Sequence, residues 1–229
     1  QMERRLKESA YGYMEWLLNQ YIHHTRRKVW EPLSEMFPLR QEGYLMLIRI
    51  NKQHLILNEE MKREIGYFIK KHLIDTSSIT FQVNGTENLL AVLALSGSRI
   101  EQEQITQIEE FIQNILVLEK NRIYFAVSSL YSDMESCGNK AYEEAMAAMK
   151  YSFYEEERYL QAEKYLSDEK QEDSVGSEAI LNSIKEGNLE KSEAIFEKIT
   201  EVLSEHKSVQ PDIFKRKIVF FFFRILRYM

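Results

Sequence analysis

The sequence predicts an α+β domain, and three observations lead to this fold class. A nearly unbroken apolar run over residues 44–50 is typical of a central strand that is covered on both faces. Two more apolar stretches, residues 79–83 and 89–95, flank the turn sequence NGTEN, which is a strong β-hairpin signal. Stripes of apolar residues at helical spacing follow the first strand and the hairpin. The chain therefore alternates strands with helices.

Caps and acidic first turns indicate where two of these helices begin. Asn58 followed by Glu59 and Glu60 predicts one start, because an Asn side chain and nearby carboxylates satisfy the free N–H groups of a first turn. Ser98 and Glu101 match a capping box and predict the start of the next helix, which carries a row of isoleucines. Each helix would return the chain to the sheet.

The segment 120–154 predicts a strand, a turn and a helix. Residues 122–129 mix β-branched, aromatic and small side chains, as buried strands do. A polar turn over 132–138 ends in Gly138, and Asn139 is the predicted cap of the following helix. The resulting order, β-α-β-β-α-β-α, is that of a ferredoxin-like split β-α-β core with one additional helix. It is also the order of GGDEF and class III nucleotide cyclase domains.

Residues 1–30 are predicted to form one long helix. Its apolar positions fall near a heptad seam, at Leu6, Ala10, Tyr13, Leu17 and His24. Two interpretations are open: the helix packs on its own domain, or it continues from an upstream domain and dimerises. Pro32 and Pro38 bracket a predicted connector to the following domain.

The character of the chain changes near residue 167. Residues 168–177 are charged and polar and predict a linker, and helices are predicted at about 178–186, 188–206 and 211–229. The last helix is apolar nearly all round, so it must be buried, either here or against a missing downstream domain. We therefore predict a linker or dimerisation helix over 1–38, an α+β domain over 39–167 and a helical extension over 168–229.

Composition and charge narrow the function classes. The chain of 229 residues is 44% hydrophobic and 29% charged, which is ordinary for a globular protein, and its formal net charge is −6. The acidic balance speaks against direct nucleic acid contact by this segment. No signal peptide or membrane-spanning stretch is evident, which predicts a cytoplasmic location and no membrane contact. The single cysteine, Cys137, is expected to be structural or incidental.

A family resemblance rests on the segment 126–151. It contains Ala126-Val127-Ser128-Ser129, then Tyr131, and then the helix sequence AYEEA with further alanine beyond it. It resembles the end of the degenerate GGDEF-like central region of AraC-type two-component response regulators, the YesN-like group. The resemblance covers roughly the middle half of the chain.

The resemblance implies a regulatory role without catalysis. In that family the central region lies between a phosphoacceptor receiver domain and a helix-turn-helix domain that binds promoter DNA. The expected partners are these flanking domains of the same chain, together with a second copy in a homodimer. The chain starts with Gln and stops in an apolar helix, which agrees with a piece of such a longer protein.

The residues at the expected active site depart from the pattern of active GGDEF enzymes. Those enzymes hold two metals and a nucleoside triphosphate through acidic residues at the end of the first strand. Arg49 and Asn51 stand where the pattern has two Asp residues, and Glu87 alone remains of the acidic hairpin signature. Magnesium prefers carboxylate and phosphate oxygens, and a cation at Arg49 would repel it. We expect no enzyme activity, no metal and no cofactor.

Alternatives to a purely structural module stay open. Arg49, Asn51 and Glu87 are candidates for binding a small ligand in the vestigial pocket, which would make the domain an effector sensor. The central domain of a PucR-type or CdaR-type regulator, which is also GGDEF-like, is a further alternative. An active cyclase with unorthodox metal ligands is disfavoured by the missing acidic residues.

Overall fold

The computed structural model describes residues 2–23, 27–52, 57–73, 76–86, 88–118, 122–153 and 158–166, together with three isolated positions in the last quarter of the chain. The chain divides into two compact units, Gln1–Leu166 and Ser167–Met229. The three described positions of the second unit, Lys191, Ala194 and Glu197, are helical and exposed. The other predictions for residues 168–229 lie outside the described residues.

The first unit contains helices on both sides of a five-stranded sheet. Its elements, in chain order, are α1 (Met2–His23), α2 (Arg27–Met36), β1 (Tyr44–Ile50), α3 (Glu59–His72), β2 (Ser77–Gln82), β3 (Leu89–Leu95), α4 (Gln102–Leu116), β4 (Ile123–Val127), α5 (Met134–Lys150), β5 (Tyr159–Gln161) and α6 (Ala162–Leu166). None of the helices in these described ranges has the length and apolarity needed to cross a membrane.

The sheet has the strand order β2-β3-β1-β4-β5. The central strand β1 is antiparallel to both β3 and β4, and β2 is antiparallel to β3. The short strand β5 pairs in parallel with β4. The α+β class is therefore confirmed, with a mixed sheet. Strand β5 was not predicted, because three residues are too few to show a periodic pattern.

The two faces of the sheet carry separate hydrophobic cores. Tyr44, Met46 and Ile48 of β1 pack with buried residues of α3 and α4. Leu45 and Leu47 point to the other face, where buried residues of α1 and α5 cover the sheet. Because successive side chains of a strand alternate between faces, a strand covered on both faces must be apolar throughout. This explains the unbroken apolar run that identified β1.

Helix α5 begins earlier than the sequence predicted. Its N-cap is Asp133, whose carboxylate accepts a hydrogen bond from the Glu135 N–H at 3.0 Å. The predicted cap at Asn139 and the predicted turn up to Gly138 are therefore wrong, since both residues lie inside the helix. Gly138 and Asn139 instead contact helix α1.

Gly138 and Asn139 hold the end of α1 against α5. A β carbon on Gly138 would overlap the ring of Tyr21, so glycine allows this ring to lie directly on the helix. The Tyr21 hydroxyl donates a buried hydrogen bond to the Met134 carbonyl. The Asn139 amide donates to the Ile22 carbonyl at 2.8 Å, which satisfies one of the free carbonyls at the end of α1.

The predicted start of α3 is confirmed, whereas the predicted start of α4 is not. Asn58 caps α3 as predicted, and its Oδ1 accepts from the Met61 N–H at 2.9 Å. The capping box predicted from Ser98 is wrong. The N-cap of α4 is Glu101 itself, whose N–H donates to the Gln104 side chain at 2.9 Å. The capping box therefore begins at Glu101 and not at Ser98, and Gln104 supplies its side-chain acceptor.

The N-terminal helical region extends farther along the chain than predicted. Its described parts are α1, Met2–His23, and α2, Arg27–Met36, and residues 24–26 lie outside the described residues. Pro32 lies inside α2, so the prediction that it begins a connector is wrong. A proline inside a helix removes one backbone N–H, and its ring crowds the carbonyl four residues earlier, so a proline is an uncommon residue at such a position.

The second half of α1 packs on its own domain. Leu17, Leu18 and Ile22 are buried in the core that covers one face of the sheet. The predicted heptad seam is split by this packing, because Leu17 is buried whereas Tyr13 is about half exposed, at 48%. Residues 17–22 therefore agree with the first of the two interpretations, in which the helix packs on its own domain.

The overlap at Gly138 gives the first testable prediction. Gly138→Ala should destabilise the protein by about 2 kcal/mol, because the Tyr21 ring must leave its position over α5. The matched control is Gly12→Ala in α1, where no atom lies within 4 Å of the added carbon. The control should stabilise the protein by about 0.5–1 kcal/mol, since Ala is the better helix former. Denaturant unfolding measures both, and an equal stabilisation by the two variants would contradict the docking of α1 on α5.

Candidate functional site

The candidate site is the end of the sheet where β1 stops and the β2–β3 hairpin turns. The Ile50 N–H donates to the Asn88 carbonyl at 2.9 Å, and the Asn51 N–H donates to the Arg122 carbonyl at 2.7 Å. The end of β1 is thereby joined to the hairpin on one side and to the start of β4 on the other. Arg49 and Asn51 lie at this end, as the sequence predicted. Glu87 lies outside the described residues.

Arg49 is a partly buried cation at the end of the central strand. It pairs with Leu89 of β3 and Tyr124 of β4, on the face of the sheet that also carries Leu45 and Leu47. Burial lowers the pKa of its guanidinium. Among the described residues no hydrogen bond or ion pair engages this side chain. A partly buried charge without a counter-ion is unfavourable, so an anion at this position would stabilise the fold.

The other residues of this end supply amide and ammonium groups. Asn51 is exposed. The Asn88 amide donates to the Lys52 carbonyl at 3.0 Å, and the Lys52 ammonium donates to the Leu116 carbonyl at 2.9 Å. Asn88 Oδ1 is buried and accepts no hydrogen bond from the described residues. Within the described ranges, no group of three or more His, Cys, Asp or Glu side chains is placed to hold a metal ion.

Near the same end, helix α1 covers the outer edge of β2. Glu15 and Asn19 of α1 bond there to Gln82 and Asn84, and we call these four residues the edge clamp. Glu15 Oε1 accepts from the Gln82 N–H at 2.8 Å, and the Asn19 amide donates to the Gln82 carbonyl at 2.9 Å. Asn19 Oδ1 accepts from the Asn84 N–H at 2.8 Å. An edge strand normally presents such groups to solvent or to another chain. Here helix side chains take the place of a neighbouring strand.

A buried lysine joins α3 to the edge clamp. Lys62 is 5% exposed, and its ammonium lies 2.5 Å from Glu59 Oε1 and 3.4 Å from Glu15 Oε2. A cavity of about 440 Å³ lies beside it, lined by Glu15, Lys62 and residues 82–86 of the hairpin. A buried ammonium requires such carboxylate partners. Loss of Glu15 would therefore affect both the edge of β2 and the charge of Lys62.

The residues that carry the family resemblance form a hydrogen-bonded network under the β4–α5 connection. Ser128 Oγ accepts from the Leu45 N–H at 3.0 Å. The buried carboxylate of Glu144 accepts from the Ser129 N–H at 3.1 Å and from the Tyr131 hydroxyl at 2.5 Å. Burial, together with the bond to this carboxylate, raises the pKa of Tyr131 well above its usual range. These residues fix the connection between strand and helix.

A larger groove of about 830 Å³ lies at the opposite edge of the sheet, between α4 and β5. Of its four charged lining residues, two are paired with each other: Arg158 bonds to Glu109 across the groove. Beside the groove, the Arg99 guanidinium donates to Glu163 at 2.8 Å. The Arg158–Glu109 pair is neutral, and the other charged residues of the lining are Glu101 and Lys164.

Sequence reasoning missed the edge clamp. Glu15 and Asn19 are one helical turn apart, and such a polar pair on a helix is usually solvated. The available signal was their position next to the apolar residues Met14, Leu17 and Leu18, which places them at the border of the buried stripe.

The edge clamp predicts a local change in hydrogen exchange. Asn19→Ala leaves the Gln82 carbonyl and the Asn84 N–H without their partners, at a cost of about 2 kcal/mol. The Asn84 amide should lose protection against exchange, whereas amides of β1 should keep theirs.

The matched control is Asn114→Ala, at an exposed position of α4. It should change neither the protection of the Asn84 amide nor that of the β1 amides. Equal protection of Asn84 in all three proteins would contradict the clamp. Mass spectrometry or NMR of the whole chain measures the exchange.

A scan against protein-family models found no matching family, and a comparison with curated proteins found no significant match.

Proposed function

We propose that the chain is a non-catalytic regulatory module of a two-component transcriptional regulator. It would carry a phosphorelay signal from an upstream receiver domain to a downstream helix-turn-helix domain of the same chain. The sequence resemblance at Ser128, Ser129, Tyr131 and Glu144 supports the family, and the edge clamp supports the transmission. Promoter binding would belong to the downstream domain, and this segment would act in the cytoplasm without contacting DNA.

We assign the α+β domain to the ferredoxin-like, GGDEF-like fold. The strand order β2-β3-β1-β4 supports the assignment, with its antiparallel pairs throughout. Two β-α-β units, β1-α3-β2 and β3-α4-β4, each enclose a strand of the other, which is the arrangement of the split β-α-β motif. Strand β5 and helix α5 extend this core at one edge.

The absence of catalysis is part of the proposal. Active GGDEF enzymes use divalent metals for nucleotidyl transfer, and Mg²⁺ prefers hard oxygen ligands. The end of β1 instead presents a partly buried guanidinium at Arg49 and an amide at Asn51. A positive charge at the end of β1 repels a divalent cation and therefore disfavours the binding of Mg²⁺ there.

The edge clamp is the observation that carries the proposed transmission. The helix that leads into the domain, α1, bonds directly to the backbone of β2 and of the hairpin turn. A displacement of α1 would exchange its hydrogen bonds to Gln82 and Asn84 for bonds to water, at about 0.5–1.5 kcal/mol for each bond. Coupling energies of about 1–3 kcal/mol are typical of allosteric proteins. A movement upstream would therefore alter the hairpin.

Promoter occupancy tests the proposed function. The native protein, tagged at its own chromosomal locus, should recover a limited set of promoter regions in chromatin immunoprecipitation. An unrelated tagged protein of similar abundance is the control. Recovery of the same DNA by both proteins would contradict a role in transcription and would favour an effector sensor or another signalling role.

The guanidinium of Arg49, which no described residue pairs, favours a second candidate, an effector sensor for an anionic ligand. The vestigial cleft would then bind a phosphate-bearing molecule without converting it. The central domain of a PucR-type or CdaR-type regulator is a related candidate, and the identity of the flanking domains separates it from the YesN-like case.

Arg49→Met tests the sensor. Without ligand the variant should be about 1 kcal/mol more stable than the wild type, because it removes a partly buried charge. GTP with Mg²⁺ should raise the melting temperature of the wild type and not that of the variant. The exposed Arg63→Met is the control and should respond as the wild type does. An equal response of both variants would contradict the sensor, and turnover of GTP would contradict the proposal that the module is non-catalytic.

A further inference from the structure

The hairpin turn beside the edge clamp contains the one Asn-Gly pair of the sequence, Asn84-Gly85. Both residues are exposed, and no atom lies within 4 Å of a β carbon built on Gly85, so the turn is open to water. The Asn84 N–H donates to Asn19 Oδ1, whereas no described residue bonds to the side-chain amide of Asn84. Nothing described therefore holds this amide away from the neighbouring glycine nitrogen.

An asparagine followed by glycine can lose its side-chain amide without an enzyme. The Gly85 nitrogen attacks Cγ of Asn84, and the new N–Cγ bond closes a five-membered succinimide. The Cγ–Nδ2 bond breaks, and Nδ2 leaves as ammonia with the proton that the Gly85 nitrogen gives up. Water then adds to one of the two ring carbonyls, breaks its bond to nitrogen and leaves aspartate or isoaspartate at residue 84. Water is the only co-reactant, and nothing is oxidised or reduced.

The native turn keeps Asn84 out of the geometry of this ring. Thr86 closes the turn on the Val83 carbonyl, through its N–H at 3.3 Å and its hydroxyl at 2.8 Å. Gly85 has a φ of +79° and Asn84 a negative φ. These values define a type II turn, with ψ of about +120° at its first central residue. Ring closure in an L residue brings Cβ and the next nitrogen into one plane, which needs ψ of about −120°, as in the mirror-image type II′ turn.

The edge clamp holds the peptide group that ring closure has to turn. A type II′ turn has a positive φ at its first central residue, so the change rotates the peptide group between Val83 and Asn84. The N–H of this group is the one that donates to Asn19 Oδ1 at 2.8 Å. The preceding Val83 N–H is fixed by the Leu89 carbonyl at 3.0 Å, so the end of the strand does not follow the rotation. Ring closure and the bond to Asn19 therefore exclude one another.

We propose that Asn84 is a site of spontaneous deamidation whose rate is set by the edge clamp. While the clamp is closed the amide is kept, and each opening lets a fraction of the chains react. The product carries an additional negative charge in the cavity that residue 84 lines together with Glu15, and like charges repel. Isoaspartate also adds a methylene to the main chain of a tight turn. Both changes disfavour closure, so Asn84 keeps a lasting record of a displacement of α1. The site depends on the clamp and not on the proposed role in transcription.

Peptide mapping by mass spectrometry, on the whole chain incubated near neutral pH, measures the loss of the amide at residue 84. The chain unfolded in urea should react at least about tenfold faster than the folded wild type, because the native turn opens rarely. Asn19→Ala should react about tenfold faster than the wild type while folded, since it removes two bonds of the clamp. Thr86→Val, at an exposed position, removes the hydroxyl bond of the turn and should give a severalfold increase.

Asn114 provides the controls for these rates. It is exposed in α4 and precedes the branched Ile115, so its own amide should stay intact in every folded sample. The matched variant Asn114→Ala leaves the clamp in place and should lose the amide of residue 84 at the wild-type rate. Hydrogen exchange of the β1 amides checks that each variant is folded. If Asn19→Ala is not, Thr86→Val decides, and a wild-type rate in it overturns the inference.

Two further outcomes would overturn the inference. One is an equal rate at residue 84 in the folded wild type, in folded Asn19→Ala and in the unfolded chain, since the clamp would then have no influence. The other is an unfolded chain that keeps its amide. Reacted chains, separated by ion exchange, should also exchange the amide N–H of residue 84 faster than unreacted chains. Equal exchange in the two fractions would contradict the lasting record.

Discussion

The rest of the domain depends on the hydrogen bonds that tie α1 to the edge of β2. Strand β2 is the outermost strand on its side, so its outward N–H and C=O groups need partners. Glu15 and Asn19 supply these partners at Gln82 and Asn84. The same helix then covers one face of the sheet with an apolar stripe. An element outside the predicted domain boundary therefore completes both its edge and its core.

The attachment of α1 continues on α5, and it depends on contacts between residues far apart in sequence. Tyr21 lies over Gly138 and bonds to the Met134 carbonyl, while Asn139 bonds to the last turn of α1. Lys62 adds an ion pair from α3 on the other side of the sheet edge. Strand β2 and helices α3 and α5 thus each bond to α1, and its exposed residues Tyr13 and Trp16 take no part in these contacts.

The parts of the fold that the sequence predicted are those with local signals. Strand β1 and the hairpin follow from apolar runs and a turn sequence, and their register brings Arg49 and Asn51 to the expected end of the sheet. The start of α5 was wrong because Gly138 and Asn139 resemble a turn locally, whereas their partners are in α1. The edge clamp was missed for the same reason. A distant backbone partner leaves no periodic trace in the sequence.

The hairpin connects the two functional candidates physically. On one side, the Asn84 N–H bonds to Asn19 of α1, and on the other, the Asn88 carbonyl accepts from Ile50, the residue after Arg49. A movement of α1 that shifts the hairpin would change the surroundings of the Arg49 guanidinium. Thermodynamic linkage makes this reciprocal, so an anion that binds Arg49 would alter the attachment of α1 by the same free energy. The proposed transmission and the proposed sensing would therefore be two consequences of one coupled unit, and the ligand would act as a second input to the same movement.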